Sequence, residues 1–118
     1  MTSCEIPSDN APIEVDVTTV AQWLKLEKDF VLLDCREENE YAVAKIEPAV
    51  LIPMSQIQAR TAELGNFAGK HVVVHCHHGG RSLRVANWLR QQGFATAQSM
   101  AGGIDAWSQE IDPKVPRY

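Results

Sequence analysis

The residues best suited to chemistry lie together at Cys76-His77-His78-Gly79-Gly80-Arg81-Ser82. They follow an apolar run, His71-Val72-Val73-Val74-His75, that reads as a buried strand, and they precede a helical stripe of Leu83, Val85, Ala86 and Leu89. Gly79 and Gly80 can take positive φ without steric cost, so successive backbone N–H groups can turn inward as a nest. The N-terminus of the following helix adds positive potential at the same place. A thiol held there should have its pKa drawn from ~8.5 towards ~3.5–7.5, which makes Cys76 a thiolate at neutral pH. Arg81 adds a full positive charge at the rim. The pattern suits a nucleophilic cysteine handling an anionic substrate.

The distribution of charge agrees. No acidic residue lies between Glu63 and Asp105, whereas Lys70, Arg81, Arg84 and Arg90 all fall in that span. The chain as a whole carries a net charge of −4, which argues against a nucleic-acid binder. His71, His75, His77 and His78 with Cys76 raise the question of a metal. A strand sends neighbouring side chains to opposite faces, so these ligands are not expected to converge, and no metal or cofactor is assigned. His71 and His75 read as strand residues, and His77 and His78 as the rim of the pocket, where neutral imidazoles would make anion binding weaker and pH-dependent. Cys35 ends another apolar strand and reads as a small buried hydrophobe; a resolving thiol is the alternative if it comes near Cys76. Trp23, Trp88 and Trp107 fall on helical stretches as core anchors.

The elements that must position this loop alternate between strand and helix. Ile13-Glu14-Val15 is a short strand, and a helix capped by Thr18 carries Val20, Trp23 and Leu24. Phe30-Val31-Leu32-Leu33-Asp34 reads as a strand buried on both faces. Glu37, Glu38 and Glu40 suit the first turn of a helix, where exposed N–H groups attract negative charge. Ala49 to Ile52 is a third strand, Ser55 to Leu64 a helix, Thr96 to Gln98 a last strand, and Ile104 to about Ile111 a last helix. This order predicts an α/β fold, a small, mostly parallel five-stranded sheet flanked by helices. In such sheets the site lies beyond the carboxyl ends of the strands, where Asp34-Cys35-Arg36 and His75-Cys76 both sit.

With 118 residues, 45% of them hydrophobic, the chain reads as one globular domain over residues 13–111. Residues 1–12 read as a flexible N-terminal arm and 112–118 as a C-terminal tail. Three widely spaced cysteines do not make a disulfide framework, and the N-terminal residues do not read as a signal peptide. No apolar run is long enough for a membrane span, so a cytoplasmic protein without nucleic-acid or membrane partners is expected.

Four segments, in order, resemble those of the rhodanese-like sulfurtransferases. Cys76 to Ser82 is similar to that family's loop Cys-x-x-Gly-x-Arg-Ser. Asp34-Cys35-Arg36-Glu37 resembles its Asp-x-Arg-Glu, Ile52-Pro53-Met54 its Ile-Pro-Leu, and Gly102-Gly103-Ile104-Asp105-Ala106-Trp107 its Gly-Gly-x-x-Ala-Trp. Ala44-Lys45-Ile46-Glu47-Pro48-Ala49 departs from the Gly-His-Ile-Pro-Gly-Ala often found there. The resemblance implies that the Cys76 thiolate takes a sulfane sulfur from a small anionic or persulfide donor, such as thiosulfate. The resulting persulfide would rest among the N–H groups of His77, His78, Gly79, Gly80, Arg81 and Ser82. An acceptor, whether cyanide, a thiol or a protein, would then remove the sulfur.

The resemblance also gives Asp34 and Arg36 a supporting role in bracing the loop, and Arg81 and Ser82 the ordering of its end, with Ser82 as a helix cap. Residues 112–118 are similar to tails of rhodanese domains attached to adenylyltransferases that activate sulfur-carrier proteins. The alternatives are a sulfur carrier or interaction module serving protein partners, and a cysteine-loop phosphatase. The phosphatase signature needs one residue more between cysteine and arginine than the four found here.

Overall fold

The computed structural model describes residues 5–118; Cys4 lies outside them. Five strands form one sheet in the order β1-β5-β4-β2-β3, and every pairing is parallel. The strands are β1 (Glu14–Val15), β2 (Phe30–Asp34), β3 (Val50–Leu51), β4 (His71–His75) and β5 (Gln98–Met100). The sheet is therefore parallel throughout, where the sequence predicts a mostly parallel one. Central β4 is buried along its whole length, as expected where helices cover both faces.

The helices are α1 (Val17–Lys25), α2 (Glu38–Val43), α3 (Thr61–Leu64), α4 (Gly80–Gln91) and α5 (Gly103–Glu110). On one face Leu33, Val72 and Val74 pack with Val85, Ala86 and Leu89 of α4 and with Ile52, Ile57 and Leu64. On the other, Leu32, Val73 and Met100 pack with Val17, Val20 and Trp23 of α1 and with Ile104 and Trp107 of α5. Each fully buried side chain of this kind contributes about 1.5–3 kcal/mol. Trp23 and Trp107 are core anchors, whereas Trp88 is only partly buried against the α4 face.

Several boundaries differ from the sequence expectation. α1 is capped by Asp16, whose carboxylate accepts a hydrogen bond from the Thr19 N–H at 2.8 Å; Thr18 is already inside the helix. Ser55 to Arg60 form turns, so helix α3 begins only at Thr61. The Ser55 hydroxyl donates to Glu37 at 2.7 Å, which ties the start of the segment to α2. β5 lies two residues later than Thr96–Gln98, because its pairing with β1 and β4 falls on Gln98, Ser99 and Met100.

β2 and β4 lie side by side, with their continuations leaving towards opposite edges of the sheet. That reversal of strand order is where open parallel sheets leave a crevice beyond the strand ends. Asp34 opposes His75 in register, which places Cys35 beside Cys76 at that point.

Candidate active site

Cys76 is the first residue after β4, and α4 begins at Gly80 after an N-cap glycine, Gly79, at φ 113°. That left-handed turn folds the loop back so that its amides face the sulfur. The Gly79 N–H donates to Cys76 Sγ at 3.0 Å and the Ser82 N–H at 3.3 Å. The Ser82 hydroxyl lies 3.4 Å from the same sulfur and 2.7 Å from the buried Ser99 hydroxyl. With the sulfur ionised, Ser99 can donate to Ser82 and Ser82 to Cys76. Ser82 is thus a partner of the sulfur within the first turn of α4; the helix cap is Gly79.

The Cys76 thiol is lowered to about 4. The hydrogen bond from the Cys35 thiol contributes most, and those from the Ser82 hydroxyl and the Ser82 and Gly79 amides add to it against the cost of burial. The sulfur is a thiolate at neutral pH. Cys76 is only 1% exposed.

Behind the loop, Asp34 and Arg36 form a fully buried pair. Arg36 Nε and Nη2 donate to the Asp34 carboxylate at 3.0 and 2.7 Å, and Nη2 also donates to the Ala44 carbonyl at 2.6 Å. This donor set ties the end of β2 to the segment after α2. His75 is buried beside Asp34, with 3.7 Å between Nε2 and the carboxylate. Its pKa is lowered, chiefly because burial penalises the charged ring.

Arg81 does not stand free at the rim. Its two terminal nitrogens donate to Glu40 at 2.6 and 2.8 Å, and this pairing holds Glu40 down at about 2. Tyr118 joins the same cluster: its hydroxyl donates to Glu40 at 2.9 Å and accepts from Arg36 at 3.0 Å. The Tyr118 ring stacks on His77 at 3.9 Å, and His77 stacks on His78 at 3.8 Å. Tyr118 thus packs against the Cys76–Ser82 loop.

The second glycine pair meets the loop from the other side. The Ile104 and Asp105 N–H groups, in the first turn of α5, donate to the Cys76 and His77 carbonyls at 2.8 and 3.1 Å. Gly103 takes φ 60°, and a Cβ there would stand 2.5 Å from both carbonyl oxygens. Only glycine allows α5 to dock this closely.

A motif held from two sides in this way, on a parallel sheet, is matched by known proteins. The profile of the Rhodanese-like domain matches residues 17–110. The chain belongs to that family. A sulfurtransferase of Allochromatium vinosum is 33% identical over 102 residues, covering 86% of this chain and 94% of that protein. The adenylyltransferase and sulfurtransferase MOCS3-2 of Zea mays is 35% identical over 127 residues, covering 94% of this chain but 26% of the maize protein. The chain spans only 24–30% of the length of the plant relatives it matches. Among solved structures, a rhodanese-like domain protein from Staphylococcus aureus superposes with a TM-score of 0.74 at 26% identity, covering 91% of this chain and 99% of that one. No helix of the described residues is long and apolar enough to cross a membrane.

In this rhodanese-like domain the loop, Asp34 and Arg36 come together as one cluster. Sequence reasoning missed Glu40, Ser99 and Tyr118. Glu40 carried the signal of a helix-dipole acid only, Tyr118 only that of a tail similar to those of other rhodanese domains, and Ser99 none. His77, His78 and Asp105 each bring one ligand atom within 4.8 Å of the others. Asp105 is also paired with Arg117 at 3.0 Å and stands 3.8 Å from His78.

Proposed function

We propose that this rhodanese-like domain moves a sulfane sulfur from a donor to a thiophilic acceptor through a persulfide on Cys76. The observation that carries the reading is the Cys76 thiolate, bonded by the Gly79 and Ser82 amides at the mouth of the β2–β4 crevice. The thiolate attacks the outer sulfur of the donor, the donor's S–S bond breaks, and its remaining part leaves with the electron pair. The new outer sulfur lies towards the amides of residues 77–82 and the α4 N-terminus, which stabilise its negative charge as it forms. Removing one such donor typically costs about 3 kcal/mol in the barrier. An acceptor nucleophile then attacks the outer sulfur and restores the thiolate.

The surroundings favour a persulfide over thiosulfate as donor. Glu40 offsets Arg81, so the loop offers its partial charges and little net cationic attraction to a doubly charged anion. The likeness to the maize adenylyltransferase and sulfurtransferase supports a second reading, a sulfur carrier that serves protein partners. The phosphatase alternative has less support, since the loop is one residue short of that signature.

The test is turnover with glutathione persulfide or thiosulfate as donor and cyanide as acceptor, read as thiocyanate. The expected result is turnover by the wild-type protein, faster with the persulfide, and none by Cys76→Ser. Equal turnover by Cys76→Ser overturns the reading.

A further inference from the structure

β2 and β4 pair in register from Phe30↔His71 to Asp34↔His75, and the ladder continues by one bond, with the Cys35 N–H donating to the His75 carbonyl at 3.0 Å. Cys35 and Cys76 are therefore cross-strand neighbours. Both belong to the core cluster beneath α4, with Leu33 and Val74 preceding them at the two-residue period of a strand, so their side chains leave the same face of the sheet. Adjacent strands stand ~4.8 Å apart, within the ~4.4–6.8 Å Cα separation that a disulfide requires. The two thiols are free, and each is the largest influence on the other's ionisation, Cys76 being drawn down and Cys35 pushed up.

From this juxtaposition we propose that Cys35 resolves the Cys76 persulfide, releasing hydrosulfide and leaving a Cys35–Cys76 disulfide. The inference rests on the sulfurtransferase reading and adds to it a sulfide-releasing activity used when no acceptor arrives. The Cys35 proton passes to the outer sulfur, and the Cys35 thiolate attacks Cys76 Sγ. The bond from Sγ to the outer sulfur breaks, and the outer sulfur leaves as HS⁻ with the electron pair. The sulfane sulfur is reduced by two electrons, and the two cysteines are oxidised to the disulfide. One proton and one negative charge enter and leave, so no external oxidant is needed. An external thiol reductant resets the pair by thiol–disulfide exchange.

The electrostatics give the step its order. In the resting enzyme the Cys35 thiol is pushed far up, first by its hydrogen bond to Cys76, then by burial and by the negative Cys76 sulfur. Cys35 is then a proton donor and not a nucleophile. Adding a sulfur to Cys76 takes the negative charge off Sγ, which removes the contacts that keep Cys35 protonated. Resolution thus becomes available only after loading. Cys35 is fully buried, so solvent nucleophiles do not share its access to Sγ.

The experiment follows the persulfide after loading. The wild-type protein and Cys35→Ser, which keeps a hydroxyl donor towards Cys76, are loaded with glutathione persulfide and freed of small thiols by gel filtration. Each is sampled over time by intact mass, with released sulfide assayed in parallel. The wild-type protein should lose its added sulfur and become lighter than the reduced protein by two hydrogen atoms, with sulfide released in equal amount. Peptide mapping should join Cys35 to Cys76. Cys35→Ser should hold its persulfide. A wild-type persulfide that persists without a disulfide overturns the proposal and leaves the sulfurtransferase reading intact, whereas a wild-type protein that never takes up sulfur overturns both. The wild-type time course decides the matter even if the variant does not fold.

Discussion

Arg81 gives both terminal nitrogens of its guanidinium to the Glu40 carboxylate, at 2.6 and 2.8 Å, across 41 positions of the chain. The pair joins the start of α4, and with it the Cys76–Ser82 loop, to α2. It also spends a charge that the loop sequence alone would assign to substrate. Glu40, held at about 2 first by the hydrogen bond from Arg81, is ionised at every pH at which a thiolate reacts.

Glu40→Gln therefore has two expected effects. Removing a unit negative charge from the rim relieves about 1 kcal/mol of repulsion on a doubly charged donor, or roughly fivefold in KM. Losing a charge-assisted pair costs about 1.5–3 kcal/mol of stability. The KM for thiosulfate should fall, that for glutathione persulfide should change less, and the thermal midpoint should drop. A raised thiosulfate KM would show that the pairing itself builds the donor site.

The pH dependence of thiol reactivity tests the loop electrostatics. Cys76 titrates at about 4, so it is deprotonated above that pH and protonated below it. Alkylation by iodoacetamide should be flat from neutral pH down to about pH 5 and fall only below that, located by peptide mapping. An ordinary thiol, with pKa ~8.5, would instead lose reactivity about tenfold per unit throughout that range.

Gly103→Ala places a methyl group 2.5 Å from the Cys76 and His77 carbonyl oxygens and forces a left-handed φ on alanine. A cost of about 2–4 kcal/mol is expected from the strain and the displaced α5 bonds. The persulfide-forming rate should fall at least tenfold in the fraction that remains folded. Denaturant unfolding and single-turnover loading measure the two effects separately.

Much of this arrangement is legible in the chain, because the strands that position the site are apolar runs ending abruptly in Asp34-Cys35-Arg36 and Cys76-His77-His78, and the glycines that turn the loop sit within it. The ends of elements are less legible where neighbours set them. β5 shifts to Gln98–Met100 because Ser99 and Ala101 donate to the Ile13 and Val15 carbonyls of the edge strand. Ser55 to Arg60 have a helical pattern but form turns, with Ser55 bonded to Glu37 and Gln56 to the Pro53 carbonyl. The reach of Tyr118 to Arg36 spans 82 positions and leaves no local pattern. Nor does the Ser99–Ser82 contact, which depends on β5 lying next to β4.

Acid sensitivity follows from the buried imidazoles. His71 and His75 both have lowered pKa values, burial being the largest cause in each. A base whose folded pKa lies below its unfolded value contributes stability above the unfolded pKa, ~6.5, and loses it as pH falls. The unfolding free energy should decline below pH ~6.5 by at most about 1.4 kcal/mol per unit for each histidine. Urea unfolding at neutral and mildly acidic pH measures this, and a flat profile would show that folding leaves both imidazole pKa values unshifted.

The central claim is that Cys76 carries the sulfur. Its most direct test is intact mass spectrometry from the first seconds after mixing with glutathione persulfide or thiosulfate, beside Cys76→Ser. The wild-type protein should gain the mass of one sulfur atom, cyanide should remove it, and the variant should gain none. Equal gain by the variant, or no gain by the wild-type protein with either donor, would contradict the claim.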